Sequence, residues 1–63
     1  MSCGDLVLAL RLRLADLAPG AVIRVRATDV AAPIDLPAWC RMTRHTLVHM
    51  THPTYWIQKR RDD

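Results

Sequence analysis

The sequence predicts an α/β (α+β) fold: a two-layer α/β sandwich with element order α-β-α-β-β, in which two helices cover one face of a small mixed sheet. Two stretches space their apolar residues as one face of a helix does. Three shorter stretches are rich in β-branched or aromatic residues, which is typical of strands. No repeat, linker or low-complexity segment interrupts the chain, so residues 1–63 are expected to form a single domain.

The first helix is predicted over residues 5–18, which contain no internal glycine or proline. Leucines recur there at spacings of four and three residues and share one helix face; they are Leu6, Leu10, Leu14 and Leu17. Leu8 and Leu12 lie outside that face, so the helix is expected to be covered on more than one side. Pro19-Gly20 ends it.

The first strand is predicted over residues 21–27, because apolar residues alternate there with Arg24 and Arg26. One face of this strand should be buried and the other should be basic. After a loop, the second helix is predicted to begin at an N-cap formed by Asp35, to carry Pro37 in its first turn and to end near Arg44. One face of this helix carries Leu36, Trp39, Cys40 and Thr43.

A hairpin is predicted to close the sheet, with strands over residues 45–51 and 55–59 joined by a turn at residues 52–54. Tyr55 and Trp56 are expected to be packing residues of the last strand, and an exposed one could instead anchor a protein partner. Residues 60–63 are charged and predict a frayed tail.

Composition excludes several classes of protein. Two cysteines are too few for a disulfide-stapled fold, and no apolar run approaches the roughly 18 residues of a membrane span. No signal peptide pattern is present, so a cytoplasmic location with reduced thiols is expected. The net charge is +3, from eight arginines and one lysine. These cations are scattered along the sequence, which argues against nucleic acid as a partner.

Cys3 is the candidate reactive group. If the first helix begins near it, the unpaired N–H groups and the helix dipole stabilise an anion such as a thiolate at this position. Cysteines at helix N-termini have lowered pKa values and raised reactivity. Gly4, Asp5 and Arg11 are the candidate supporting residues.

The order of short motifs resembles the TusA/SirA-like sulfur-carrier family over nearly the whole chain. After Cys3 these motifs are VLALR (7–11), LAPG (17–20), TD (28–29), DLPAWC (35–40) and HTLV (45–48). The resemblance implies a two-layer β-α-β-α-β-β sandwich whose cysteine, in a C-P-x-P motif, carries a persulfide. It also implies a donor such as a cysteine desulfurase, an acceptor protein as in tRNA thiolation relays, and no cofactor.

Three features depart from the family pattern. The motif reads Cys3-Gly4-Asp5-Leu6, without its prolines, so the first turn is expected to be looser and Asp5 to oppose thiolate formation. The family's first strand precedes the cysteine, so a sheet edge is expected to be left open. A homodimer or pairing with a strand of another chain is expected to cover this edge. Arg44 stands where the family often has glycine, in a left-handed position that costs an arginine on the order of 1 kcal/mol.

Cys40 and the histidines raise two further hypotheses. Cys40, His45, His49 and His52 are residue types that bind zinc. On a strand, however, His45 and His49 would be about 13 Å apart, so no metal site is predicted. Cys40 is predicted to be a buried small hydrophobe, with a role as second, resolving thiol as the alternative. His45 is a candidate cap of the second helix.

Three functions remain open from the sequence. The leading one is a sulfur carrier or sulfurtransferase that relays persulfide sulfur on Cys3. The second is a non-catalytic protein-interaction module of the same fold. The third is a weak RNA-binding module that uses Arg24, Arg26 and the Arg60-Arg61 end.

Overall fold

The computed structural model describes residues 3–61, and the side chains of Cys3 and Gly4 lie outside that description. The chain forms two helices and three strands in the predicted order. They are α1 (Cys3–Ala15), β1 (Val22–Arg26), α2 (Ala32–Thr43), β2 (Thr46–Thr51) and β3 (Thr54–Gln58). Within these residues, neither helix is long and apolar enough to cross a membrane.

The three strands form one sheet in the order β1-β3-β2, and both pairings are antiparallel. The predicted mixed sheet is therefore wrong for residues 3–61. A parallel pair needs a long crossover connection between its strands, whereas β2 and β3 are joined by a tight turn and β1 pairs with β3 rather than with β2. The hairpin is confirmed, with a bulge between Leu47 and His49.

The core lies between the helices and one face of the sheet. The predicted leucine stripe of α1 is confirmed, because three of its four members are buried and Leu17 is partly buried. Trp39 and Cys40 of α2 and Tyr55 and Ile57 of β3 complete the centre of this core. Partly buried residues of the two edge strands pack against it; they are Ile23, Val25 and Leu47. This is the two-layer sandwich that the sequence predicted.

The outer face of α1 does not follow the prediction. Leu8 and Leu12 were expected to be covered, but they are 56% and 63% exposed. Each lies two residues from Leu10, which turns its side chain about 200° around the helix axis and away from the core. Within the described residues, α1 is therefore covered on one side only.

The second helix begins earlier than predicted. Its N-cap is Ala31, which makes no side-chain capping hydrogen bond, so the assignment of Asp35 as N-cap is wrong. Pro33 lies in the first turn, where a missing backbone N–H costs nothing, and this proline sets the helix start. Pro37 consequently lies inside the helix rather than in its first turn.

The end of α2 follows the prediction closely. Arg44 is the C-cap residue, with φ 65° and ψ 16°, so it adopts the left-handed conformation in which glycine is favoured. Thr43 is the last helical residue, and its Oγ1 donates to the carbonyl oxygen of Trp39, one turn earlier, over 2.8 Å. The chain leaves the cap directly into β2.

We expect Arg44→Gly to unfold at a higher temperature than Arg44→Ala, with a stability difference of about 1 kcal/mol. Both substitutions remove the same side chain and charge, but only glycine has no Cβ to clash at positive φ. Thermal denaturation by circular dichroism measures the difference. The matched control is Arg41, which lies in the helical part of α2, where glycine should be the less stable of the two. Equal stability of the two Arg44 variants would contradict the strain argument.

Candidate functional site

The candidate reactive residue begins the first helix. Cys3 is the first residue of α1, so its backbone lies among the N–H groups that have no partner within the helix. Gly4 and Asp5 complete the first turn, and Asp5 is exposed. Arg11 follows eight residues after Cys3, which is about 12 Å along the helix axis. The supporting roles of Gly4, Asp5 and Arg11 remain predictions, because the side chain of Cys3 is not described.

Packing explains why residue 6, where the family motif has its second proline, is a leucine in this chain. Leu6 stands there, and it is buried at 6% exposure as the first member of the α1 stripe. Since α1 already begins at Cys3, a proline at residue 6 would also lie at the end of the first turn rather than at its start. In this chain the position supplies core volume instead of a preorganised turn.

A groove of about 510 Å³ lies between α1, the C-terminal half of α2 and the residues that follow β3. Its apolar side is formed mainly by α1 and α2, and its basic side by Arg11 and by residues that follow β3. The lining residues include Val7, Leu14, Trp39, His45, Lys59 and Arg60. Val7 is the lining residue nearest to Cys3 in sequence and lies about 6 Å from it along the axis of α1.

The basic side of this groove contacts the ends of both helices, which corrects the prediction of a frayed tail at Arg60; residues 62–63 of that prediction lie outside the described residues. Lys59 is buried, and its Nζ donates to the carbonyl oxygen of Leu17, just after α1, over 2.8 Å. Arg60 donates from Nη1 to the carbonyl oxygen of Thr43, at the end of α2, over 2.9 Å. Carbonyl groups at helix C-termini have no partner within the helix, so these two cations satisfy and stabilise them.

His45 acts beside the helix end rather than as its cap. Its Nδ1 accepts a hydrogen bond from the backbone N–H of Arg60 at 3.1 Å, and its ring lies 5.6 Å from that of Trp39. His45 thus holds the backbone of Arg60, while the side chain of Arg60 donates to the Thr43 carbonyl. No local sequence pattern predicts this contact, because the partners are 15 and 17 residues apart.

Cys40 is a core residue, as predicted. It is 2% exposed, and burial raises the pKa of its thiol from 9.0 to about 11. Desolvation opposes the charged form, so at neutral pH this cysteine stays a thiol and is a poor nucleophile. Its alternative role as a resolving thiol remains untested, because the Cys3 side chain lies outside the described residues.

His49 and His52 form side-chain hydrogen bonds with different residues. His49 lies 3.1 Å from the Thr51 hydroxyl, and His52 Nδ1 lies 2.6 Å from the Tyr55 hydroxyl. Among residues 3–61, no three His, Cys, Asp or Glu side chains are grouped so that they could hold a metal ion. Tyr55 is fully buried, as its predicted packing role requires, whereas Trp56 is half-buried on the opposite face of the sheet.

Comparison with known proteins identifies the family. The family described as Sulfurtransferase TusA matches residues 1–59. The chain belongs to this TusA family. The Sulfur carrier protein TusA of Pseudomonas paraeruginosa (strain PA7) is 35% identical over 66 aligned positions, which cover 98% of this chain and 84% of that relative. The protein of the same name from Pseudomonas fluorescens SBW25 is 33% identical over 63 positions, covering 94% of this chain and 76% of the relative. No solved structure gives a significant match.

TusA membership confirms the resemblance drawn from the order of motifs, and it supports a sulfur-carrier role with protein partners. The same name is carried by a Pseudomonas putida W619 protein that is 30% identical over 98% of the chain. The TusA match includes Cys3, the helix that follows it and the sheet up to Lys59.

Iodoacetamide at pH 8 is expected to alkylate Cys3 before Cys40 in the folded protein. Burial and a pKa near 11 keep Cys40 protonated and inaccessible at this pH, because the thiolate is the reacting form. Peptide mass mapping after a short exposure measures the order of labelling. In urea both cysteines should react, which serves as the control. Preferential labelling of Cys40 in the folded protein would overturn the assignment.

Proposed function

We propose that this TusA-family protein carries sulfur as a persulfide on Cys3. The Cys3 thiolate attacks the outer sulfur of a donor persulfide, R–S–SH. A bond forms between the Cys3 sulfur and that outer sulfur while the S–S bond of the donor breaks. The electron pair of the broken bond stays on the donor cysteine, which leaves as a thiolate, so no external oxidant or reductant is needed. The reverse exchange at an acceptor protein returns Cys3 to its starting state.

The position of Cys3 as the first residue of α1 carries this proposal. Both the attacking thiolate and the persulfide anion are negative, and the start of a 13-residue helix supplies N–H groups and a favourable dipole to either. Asp5 lies in the same turn, and its charge opposes the thiolate. In this proposal the helix end favours the Cys3 thiolate and the Asp5 carboxylate opposes it.

The donor and the acceptor are proteins in this proposal, and the relay is cytoplasmic. A cysteine desulfurase is the donor class, because it presents a protein-bound persulfide. Arg11 and Arg13 are exposed on α1, within about 15 Å of Cys3 along the axis, so an acidic surface on either partner suits this approach. The carrier itself needs no cofactor for the exchange, and acceptors in tRNA thiolation are within the proposed range.

Cys3→Ser should lose all sulfur loading, because a hydroxyl cannot form a persulfide. Intact-mass spectrometry after incubation with a persulfide donor should show one added sulfur, about +32 Da, on the unaltered chain and none on this variant. The matched control is Cys40→Ala, which removes the buried thiol and should still load. Circular dichroism should show both variants folded. Sulfur loading that persists in Cys3→Ser would contradict the proposal. If the unaltered chain does not load either, the result would favour the non-catalytic interaction module.

We further propose that the open edge of β1 pairs with another strand. Ala21 accepts a hydrogen bond from Lys59 N–H, and Ala27 donates to the Pro53 carbonyl, so odd-numbered residues of β1 face β3. The backbone groups of Val22, Arg24 and Arg26 then face outward, and no strand among residues 3–61 covers them. Such an edge is a template for pairing. In a symmetric antiparallel pair of two copies centred on the middle of β1, however, Arg24 would lie opposite Arg24, and like charges in that position are destabilising.

Pairing between copies should therefore strengthen as salt is added. Size-exclusion chromatography with light scattering should show the mass rising from 7.2 kDa towards twice that value between low and high ionic strength. Arg24→Thr should raise the dimer fraction at low salt, whereas Arg41→Thr, on α2, should not change it. A stable monomer at every salt concentration and in every variant would contradict pairing between copies.

A further inference from the structure

Nine side chains with cross-strand partners share the outer face of the sheet, three from each strand, because successive side chains alternate between faces. From β1 they are Val22, Arg24 and Arg26; from β3, Thr54, Trp56 and Gln58; and from β2, Thr46, His49 and Thr51. Val48, in the bulge of β2, has no cross-strand partner and is exposed. None of the nine is acidic. Neither helix of the described residues covers them, because α1 and α2 pack on the opposite face with Tyr55 and Ile57.

An aromatic ring lies at the centre of this face, between two basic or ionisable groups. In the strand register Arg24 is the partner of Trp56 on one side, and His49 is its partner on the other. The rings of His49 and Trp56 lie 4.9 Å apart at 47°. These three side chains form a row across all three strands, with Arg26 paired to Thr54 in the next row.

The side of Trp56 away from His49 is open. A surface depression of about 440 Å³ lies there, and its lining is Arg24, Arg26, Thr54 and Trp56. Within residues 3–61, neither arginine side chain forms a hydrogen bond or an ion pair. The depression therefore offers one aromatic ring, one hydroxyl and two guanidinium groups to a ligand.

We propose that this face binds single-stranded nucleic acid, independently of sulfur transfer at Cys3. An aromatic ring stacks with any base, and guanidinium groups contact the phosphates beside it, which is how sequence-tolerant single-strand binders work. A base in the depression stacks on Trp56, and the phosphates on either side of it reach Arg24 and Arg26. Thr54 supplies a hydroxyl for the sugar or the phosphate.

Nucleic acid fits this surface better than an acidic protein does. Acidic side chains would meet the two arginines but would leave Trp56 without a partner of matching shape. A duplex hides its bases within the stack, so it offers phosphates without a free face for the ring. The cations are scattered in the sequence, and only the pairing of β1 with β3 brings two of them beside an aromatic ring. The Arg60-Arg61 end is not part of the site, since Arg60 is bound at the end of α2.

The test is fluorescence anisotropy with a fluorescein-labelled, mixed-sequence 12-nucleotide single-stranded RNA and the Cys3→Ser protein. This background removes sulfur chemistry, so the result is separate from that of the persulfide proposal. We expect binding at 50 mM salt. Two phosphate contacts should contribute about a sevenfold loss of affinity between 50 and 200 mM salt. Trp56→Ala should weaken binding about tenfold, and Arg24→Gln/Arg26→Gln should remove the sevenfold salt-dependent part.

The matched control is Arg13→Gln/Arg41→Gln, which removes two exposed arginines from the helices and makes the same change in net charge. This variant should keep the affinity and salt dependence. If this control loses as much affinity as Arg24→Gln/Arg26→Gln does, the binding depends only on net charge and the proposed site is wrong. Absence of binding at 50 mM salt would overturn it as well. The proposal would also be wrong if an RNA duplex bound as tightly as the single strand. The same holds if polyglutamate bound as tightly and its binding depended equally on Arg24 and Arg26.

Nuclear magnetic resonance provides a readout that needs no substitution at Trp56. In ¹H–¹⁵N spectra, the indole N–H of Trp56 should shift on addition of the RNA. The indole N–H of Trp39 should stay in place, because that residue is only 6% exposed and lies in the core. Equal shifts of the two indoles, or a shift of Trp39 alone, would contradict binding on the outer face of the sheet.

Discussion

The last strand, β3, is the constraint on which this fold depends. It is the central strand of the sheet, and its inward side chains Tyr55 and Ile57 are fully buried between the two layers. Both edge strands pair with β3 and not with each other. Directly after it, Lys59 and Arg60 hold the ends of α1 and α2. The strand thus connects every element, and the position of Cys3 on α1 depends on the core that β3 completes.

Local patterns in the sequence predicted the parts of the fold that local forces decide. The spacing of Leu6, Leu10 and Leu14 predicted the buried face of α1, and the alternation around Arg24 predicted a strand with one basic face. The left-handed conformation of Arg44 followed from a family comparison and a steric rule. Each of these features concerns neighbours within a few residues, where side-chain period and backbone sterics are sufficient.

Features that depend on distant contacts were not predictable in the same way. Asp35 and Pro33 both suit a helix start, and α2 begins before them at Ala32, whose side chain is fully buried in the core. The prediction of a frayed tail from residue 60 failed at Arg60, because nothing near this residue in sequence reveals the Thr43 carbonyl that it meets. The candidate site shows the same division. Cys3 follows from the motif order and the helix start, whereas the aromatic and basic row on the sheet exists only through strand pairing.

The place of β3 in the sequence also has a consequence for how the protein is made. During translation, residues 1–53 contain both helices and both edge strands, yet the strand that joins them has not been synthesised. β1 and β2 share no ladder, and the leucine stripe of α1 has no Tyr55 or Ile57 to cover it. Since the sheet requires this non-local pairing, the nascent chain cannot complete its fold until β3 has been synthesised. Termination between β2 and β3 would release two helices with uncovered apolar faces and two strands that share no ladder, and we expect chaperones and proteases to recognise such a chain.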